Sequence, residues 1–130
     1  MIGVAGTVLV VDDNPLNLEL VNDVLTSAGF TVRQARTGEE ALRSARELPP
    51  DLILLDIGLP GMDGYAAVRA LKADPATRET ITVALTAFAM PEDEARARDA
   101  GFDAYISKPL QTRSLAETVT RLMAGRARSP

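Results

Sequence analysis

Short runs of apolar residues alternate along the chain with longer segments in which apolar residues recur at helical spacing. Three runs are almost wholly aliphatic: Thr7–Val11, 52–55 and 81–85. A continuous apolar run of this length is typical of a strand buried on both faces, as in a parallel sheet. Two shorter or more polar runs, Thr31–Ala35 and 103–106, suit strands at the edges of that sheet. The pattern therefore predicts five strands.

The first intervening segment carries the clearest helix signals. Asn14 can cap a helix that has Pro15 in its first position. Gly29 follows the last turn, where glycine commonly ends a helix. The buried stripe of this helix is predicted from residues that recur at helical spacing: Leu16, Leu20, Val21, Val24 and Leu25.

Four further helices are predicted from their caps and spacing. Thr37 and Glu40 form a capping-box pattern, the third helix follows Gly64, the fourth begins at Pro91, and the fifth begins near Thr112. The inner faces of the second and fourth helices are built mostly of small residues: Ala41, Ala45 and Leu48 on the second, and Ala95, Ala97 and Ala100 on the fourth. We expect the fourth helix to be loosely docked.

Five strand–helix pairs in alternation predict an α/β fold with a parallel sheet and helices on both faces. Doubly wound sheets of five strands commonly have the order 2-1-3-4-5. We expect one domain over residues 7–124, with an N-terminal extension at 1–6 and a C-terminal tail at 125–130. The initiating methionine and the short ends favour a complete small protein.

Composition excludes several kinds of chemistry. The chain contains no cysteine and no histidine, so it offers neither thiolate nor imidazole groups. Its net charge of -4 gives no basic surface for nucleic acid. No apolar run approaches the ~18 residues of a membrane span, and no signal peptide is evident. We expect a cytoplasmic protein that binds neither nucleic acid nor membrane.

Polar residues lie where the predicted strands end, which is where open α/β sheets bind their ligands. Strand 1 ends in Asp12 and Asp13, strand 3 in Asp56, strand 4 in Thr86 followed by Ala87, and strand 5 in Ser107 and Lys108 followed by Pro109. Each has a structural explanation by itself, as a helix cap, a loop hydrogen-bonder or a solvated charge. Together they place three carboxylates, a hydroxyl and an ammonium on one rim.

That combination favours phosphoryl chemistry with a divalent cation. Three neighbouring carboxylates repel one another, and a cation relieves the conflict. Oxygen ligands at a solvent-facing rim suit Mg2+, which keeps several waters. Phosphoryl transfer needs mainly positioning and charge neutralisation. We expect Asp56 to be the in-line nucleophile, while Lys108 supplies a point charge and Thr86 a hydroxyl.

The same motifs resemble the response-regulator receiver family of two-component signalling. The resemblance rests on 10–14 (VVDDN), 54–64 (LLDIGLPGMDG), 85–87 (LTA) and 105–109 (YISKP), and it covers about residues 7–124. The segment 87–109 also resembles stand-alone regulators of the cell-cycle type. The family's fold is flavodoxin-like, with five β/α pairs.

The resemblance implies a role for each matching residue. Asp56 would accept a phosphoryl group from a histidine kinase or a histidine phosphotransfer protein. Asp13, Asp56 and the backbone carbonyl of Gly58 would bind Mg2+ directly, and Asp12 through water. The phosphoryl-binding residues would be Thr86, Ala87 and Lys108. The resemblance also implies a cis peptide bond before Pro109, an arrangement that would aim Lys108.

Tyr105 matches the switch aromatic of the family, although an aromatic on an edge strand is commonly just half-buried packing. Movement of Thr86 towards the phosphate would let the Tyr105 ring turn inward, changing the surface of helix 4, strand 5 and helix 5. The readout should be contact with a downstream protein, by a monomer or a weak dimer. Gly58 and Phe88 are less standard for the family, and the lifetime of the phosphate should depend on both.

Three alternatives stay open at this point. The chain could be the receiver segment of a hybrid histidine kinase. It could be a Mg-dependent phosphatase of similar fold, although such enzymes generally need an acid two residues after the nucleophile, where this chain has Gly58. A flavin-binding protein is disfavoured because the chain contains five aromatic residues and no tryptophan.

Overall fold

A computed structural model describes residues 6–58, 63–86, 91–108 and 110–128, with side chains described as far as residue 125. Strands and helices alternate through the described residues, in the order β1 Thr7–Val11, α1 Pro15–Ser27, β2 Thr31–Ala35, α2 Gly38–Glu47, β3 Leu52–Asp56, α3 Gly64–Ala73, β4 Ile81–Thr86, α4 Pro91–Ala100, β5 Ala104–Ser107 and α5 Thr112–Arg128. The predicted α/β class is confirmed. No helix among these residues is long and apolar enough to cross a membrane.

The five strands form one parallel sheet in the order β2-β1-β3-β4-β5. The predicted strand order is confirmed. The register places Val11 beside Leu55, and Asp56 beside Leu85 on the next strand. The carboxyl ends of the three central strands therefore lie side by side at one edge of the sheet.

The sheet separates two apolar clusters because successive strand residues point to opposite faces. Leu9, Ile53 and Ala84 pack with α2, α3 and α4 on one face. Val10 and Leu54 pack with α1 and α5 on the other. Every residue of β3 is buried, which agrees with its continuous apolar sequence and its place at the centre of the sheet.

Three predicted core residues are exposed instead. Leu16 is 73% exposed and Leu48 66% exposed, and Ala95 is exposed as well. Leu16 lies in the first turn of α1, and Leu48 caps α2 with an extended backbone. Helical spacing overstates burial at Leu16 and Leu48, because a helix end extends beyond the sheet that covers its middle. Ala95 is exposed because α4 buries only its other face, which carries Ala97 and Ala100.

Two boundaries also differ from the sequence prediction. Strand β5 spans Ala104–Ser107 and not 103–106, and the Asp103 carboxylate accepts hydrogen bonds from Thr82 just before the strand begins. Helix α5 continues to Arg128, into the segment predicted as a C-terminal tail. Neither difference moves the carboxyl edge of the sheet, where the candidate residues lie.

Candidate functional site

Three carboxylates converge where β1 and β3 end. Asp12 and Asp13 follow β1 directly, and Asp56 is the last residue of β3. Asp12, Asp13 and Asp56 each offer a carboxylate oxygen, and these oxygens lie within 4.8 Å of one another. The parallel register of β1 and β3 produces this cluster, because it brings the ends of the two strands to the same level.

The two adjacent aspartates differ sharply in their surroundings. Asp12 is 1% exposed, whereas Asp13 is exposed to solvent. Asp12 Oδ1 accepts the backbone N–H of Asn14 at 2.9 Å, and its Oδ2 accepts the side-chain amide of Asn17 at 3.2 Å. Asp12 is therefore held by protein donors, while Asp13 faces water.

Asp56 has a partner on each side-chain oxygen. Its Oδ1 accepts the backbone N–H of Gly58 at 2.9 Å, and its Oδ2 accepts the Lys108 ammonium at 2.9 Å. The same ammonium lies 3.4 Å from Asp12 Oδ2. Lys108 thus links two carboxylates that are almost completely removed from water.

Lys108 is carried to this point by the end of β5. Its backbone N–H donates to the Thr86 carbonyl at 2.7 Å, which continues the pairing of β5 with β4 by one residue. Partial burial lowers the pKa of the ammonium. The hydrogen bond and charge of Asp56, with a smaller contribution from Asp12, outweigh that burial and raise the pKa of Lys108 above 10.5.

The start of α3 lies against the backbone that directly follows Asp56. The Gly64 N–H donates to the Ile57 carbonyl at 3.2 Å, and the Ile57 N–H donates to the Leu85 carbonyl at 3.0 Å. A Cβ atom on Gly64 would lie 2.7 Å from Ile57 Cα and 3.1 Å from the Asp56 carbonyl oxygen. Glycine at this position lets α3 begin directly against the segment that carries Asp56.

We expect Gly64→Ala to lower the free energy of unfolding by about 2 kcal/mol, because the methyl group meets backbone that cannot move aside cheaply. Gly58→Ala is the matched control, since its Cβ would make an ordinary contact 3.6 Å from Asp56 Oδ1. Urea denaturation of the two variants measures the difference. Equal stability of the two variants would contradict this account of the close approach between Gly64 and Ile57.

Thr86 and Tyr105 are coupled through their side chains. Thr86 is 3% exposed, and its side chain shares a hydrogen bond with that of Tyr105. The Tyr105 ring packs against the cluster under α3 and α4. Burial, followed by the charge of Asp93, raises the pKa of the Tyr105 phenol above 10.0, against the lowering effect of the Thr86 hydrogen bond.

Several predicted positions lie outside the described residues, namely Ala87, Phe88 and Pro109. Two contacts near the predicted positions were not anticipated from the sequence. Asn17 bonds Asp12 from the first turn of α1, and the Arg96 guanidinium lies 4.5 Å from the centroid of the Tyr65 ring, which ties α4 to α3. A polar residue on the rim-facing turn of a helix is the signal that could have found Asn17.

Comparison with known proteins identifies the family. The family model of the response regulator receiver domain matches residues 8–120. The chain belongs to the response regulator receiver family. Domains of this family are the receiver domains of response regulators. They generally act in two-component signalling and not as enzymes.

Relatives of the receiver support this at the level of sequence and of structure. This chain is 44% identical over 113 residues to the polar-differentiation response regulator DivK of Brucella ovis, and the alignment covers 87% of this chain and 92% of that protein. The signal receiver domain of a histidine kinase from Syntrophus aciditrophicus superimposes with a TM-score of 0.87 at 37% identity, covering 97% of this chain and 96% of the other.

A third relative concerns the acidic cluster. The receiver domain of a sensor histidine kinase from Pseudomonas aeruginosa, whose structure holds a magnesium ion coordinated in the active-site cleft, matches with a TM-score of 0.85 at 34% identity. The alignment covers 93% of this chain and 99% of that one. The predicted fold and the resemblance to receivers are thereby confirmed.

Proposed function

We propose that Asp56 accepts a phosphoryl group from a phosphohistidine on a histidine kinase or a histidine phosphotransfer protein. The observation that carries this proposal is the Lys108 ammonium 2.9 Å from Asp56 Oδ2, beside a cluster of three carboxylates. The arrangement provides a nucleophile, a fixed positive charge and a place for a cation at one edge of the sheet.

The residues of the cluster fit Mg2+. Their donors are all oxygen atoms, and exposed Asp13 leaves room for the waters that Mg2+ retains. We propose that Asp13, Asp56 and the Gly58 carbonyl hold the ion directly, while Asp12, already bonded to Asn14 and Asn17, acts through water. When bound, the ion would neutralise the charge on the carboxylates and on the incoming phosphoryl oxygens.

In the proposed transfer, one Asp56 oxygen attacks the phosphorus in line with the bond to the donor imidazole. The new O–P bond forms as the N–P bond breaks, and the imidazole nitrogen keeps the electron pair. Lys108 leaves the carboxylate for a phosphoryl oxygen, and we propose that Thr86 and Ala87 donate to the others. Hydrolysis by water then restores the carboxylate and releases inorganic phosphate.

The bond between Thr86 and Tyr105 supports a route from this chemistry to the surface. A phosphoryl oxygen would draw the Thr86 hydroxyl away and break that bond. The Tyr105 ring, which packs against the cluster under α3 and α4, would then take a new position there. We propose that the surface of α4, β5 and α5 changes in consequence and is read by a downstream protein.

We further propose that residues 7–124 form the complete receiver unit and that it works in the cytoplasm as a monomer or weak dimer. The sheet and both apolar clusters lie within that range. An Asp56 phosphate that lasts long enough to be read, and is not turned over continuously, is what separates this role from that of a phosphatase.

A direct test is incubation with Mg2+ and acetyl phosphate, followed by intact-mass measurement. We expect a single phosphoryl adduct that forms with Mg2+ and is absent when EDTA is added. Continuous release of phosphate from a model ester, with no adduct, would instead indicate a hydrolase. Absence of both products would remove the phosphoacceptor proposal.

The lifetime of the phosphate is the next quantity to measure. We expect Gly58→Asn and Phe88→Ala each to change the rate of dephosphorylation, because both positions are proposed to flank the path of the attacking water. A Cβ at position 58 would lie 3.6 Å from Asp56 Oδ1, so a side chain there stands beside the reacting group. Phosphate release at unchanged Mg2+ affinity is the measurement, and unchanged rates in both variants would contradict the idea.

A further inference from the structure

Asn17 occupies an unusual role in the first turn of α1. Asn14 is the N-cap, so Asn17 is the third helical residue. A polar side chain at that position commonly reaches back to the N-cap N–H. Here that N–H is taken by Asp12 Oδ1 at 2.9 Å, and Asn14 caps the helix through its own side chain. The amide of Asn17 is therefore available for Asp12 Oδ2, 3.2 Å away.

The polarity of this contact is fixed by its chemistry. A flipped amide would set its oxygen against the carboxylate oxygen, so the nitrogen must face Asp12. Glutamate or aspartate at position 17 would place a further negative charge against a side chain that is 1% exposed. The site thus calls for a short, neutral donor at this position.

Asp12 Oδ2 is also the atom that Lys108 approaches. The ammonium lies 3.4 Å from Asp12 Oδ2 and 2.9 Å from Asp56 Oδ2. Lys108 can shift between the two carboxylates by a small movement. A second donor on Asp12 Oδ2 makes that oxygen a weaker competitor for the ammonium, and so favours the position on Asp56.

We propose that Asn17 is a positioning residue that holds Asp12 and thereby keeps Lys108 directed at Asp56. This inference rests on the proposed function, in which Lys108 follows the phosphoryl group. Asn17 itself touches neither the phosphoryl group nor the metal. It acts through Asp12, and its effect on transfer disappears when Asp12 no longer competes for the ammonium.

The test compares Asn17→Leu, which has similar size and no donor, with Asn22→Leu on the same helix. We expect Asn17→Leu to slow phosphorylation by acetyl phosphate about tenfold, the size expected for one hydrogen bond to a charged group. Asn22→Leu should change the rate less than about twofold, as a site outside that network does. In an Asp12→Asn background, we expect Asn17→Leu to have an effect below about twofold, because the two residues act as a unit.

A second readout does not depend on phosphorylation. The chain contains two lysines, Lys72 and Lys108, so nitrogen NMR of the ammonium groups assigns both. Asn17→Leu should shift the Lys108 signal and leave the Lys72 signal unchanged. Asn17→Ala, which also has no side-chain donor, serves as a second variant if the leucine substitution fails to fold.

The outcomes separate the two ideas. Absence of an adduct on the unsubstituted protein would refute the proposed function, while the ammonium spectrum would still test the positioning role. If Asn17 merely stabilises α1, both substitutions at position 17 will lower the melting temperature. They will then leave the phosphorylation rate and the Lys108 signal unchanged. That result, or an equal rate effect in both Asp12 backgrounds, would overturn the inference.

Discussion

Asp56→Asn protein should take up phosphate from acetyl phosphate at less than about one-thousandth of the unsubstituted rate, as expected when a nucleophile is removed. The amide nitrogen is a poor nucleophile, and the amide oxygen cannot form a stable acyl phosphate. The fold should persist, because asparagine keeps an oxygen that can accept the Gly58 N–H bonded to Asp56 Oδ1 at 2.9 Å. Intact mass measures the adduct, and thermal unfolding confirms folding.

The control for this experiment is an exposed aspartate that does not belong to the carboxylate cluster. Asp23→Asn, on the exposed side of α1, should leave the adduct unchanged. Asp13→Asn removes a proposed Mg2+ ligand, so phosphorylation of that variant should be slower and should no longer depend on Mg2+. The phosphate that the variant does acquire should still be on Asp56. Peptide mapping distinguishes these cases, and an adduct of undiminished yield on Asp56→Asn protein would show that another residue is the acceptor.

The location of the site was predictable because strand ends can be recognised in this sequence. Continuous aliphatic runs mark the buried strands, and a polar residue that follows such a run marks the edge of the sheet. Alternation of strands and helices then implies that all these ends meet on one side. Asp56 and Lys108 are separated by 52 positions in the chain, yet the topology alone predicts that they meet.

Contacts within the rim were less predictable. The pattern of apolar and polar residues does not distinguish the burial of Asp12 from that of Asp13, although one is buried and the other faces water. That difference depends on the direction in which the chain turns from β1 into α1. The bond from Asn17 to Asp12 spans five positions and depends on the same turn. The periodicity of apolar residues locates strands and helices, but it does not predict which of two adjacent loop side chains points into the protein.

The packing of some helix side chains was also hard to predict from the sequence. Leu16 and Leu48 fit the apolar spacing of their helices but project beyond the sheet. Arg96 lies on a helix whose buried residues are Ala97 and Ala100, and its guanidinium contributes a contact over the Tyr65 ring. Apolar spacing does not reveal such a contact, because the side chain that makes it is charged.

The second large effect is expected from Lys108→Met. In magnesium-free solution at neutral pH, this change should lower the free energy of unfolding by about 3 kcal/mol, because it leaves buried carboxylates without their counter-charge. Asp12 and Asp56 side chains are 1% and 11% exposed in their pairs with Lys108, so water can replace little of what is lost. Phosphorylation by acetyl phosphate should fall by about a hundredfold as well, since a charge-stabilising donor is removed.

Magnesium provides a check on the cause of that destabilisation. Mg2+ should stabilise Lys108→Met protein more than the unsubstituted protein, because a ligand that binds the folded state shifts the unfolding equilibrium and the cation has no ammonium to displace. Lys72→Met is the control. Its pair with Asp103 is more exposed, with side chains 26% and 45% accessible, so a loss of about 1 kcal/mol is expected, insensitive to Mg2+.

The pH dependence of the stability of Lys108→Met protein tests whether the charge of Lys108 stabilises the fold. The pKa of Lys108 is raised above 10.5, so the folded protein holds this proton more tightly than the unfolded chain. The stabilisation is fully present below pH 10.5 and is lost as the pH rises through the higher folded value. The difference in stability between the unsubstituted and Lys108→Met proteins should therefore narrow in strongly alkaline solution.

Tyr105, whose pKa is also raised, is present in both proteins, so its contribution cancels in the difference. Urea denaturation across this range measures it, and a gap that widens with pH would show that Lys108 does not stabilise the fold through its charge.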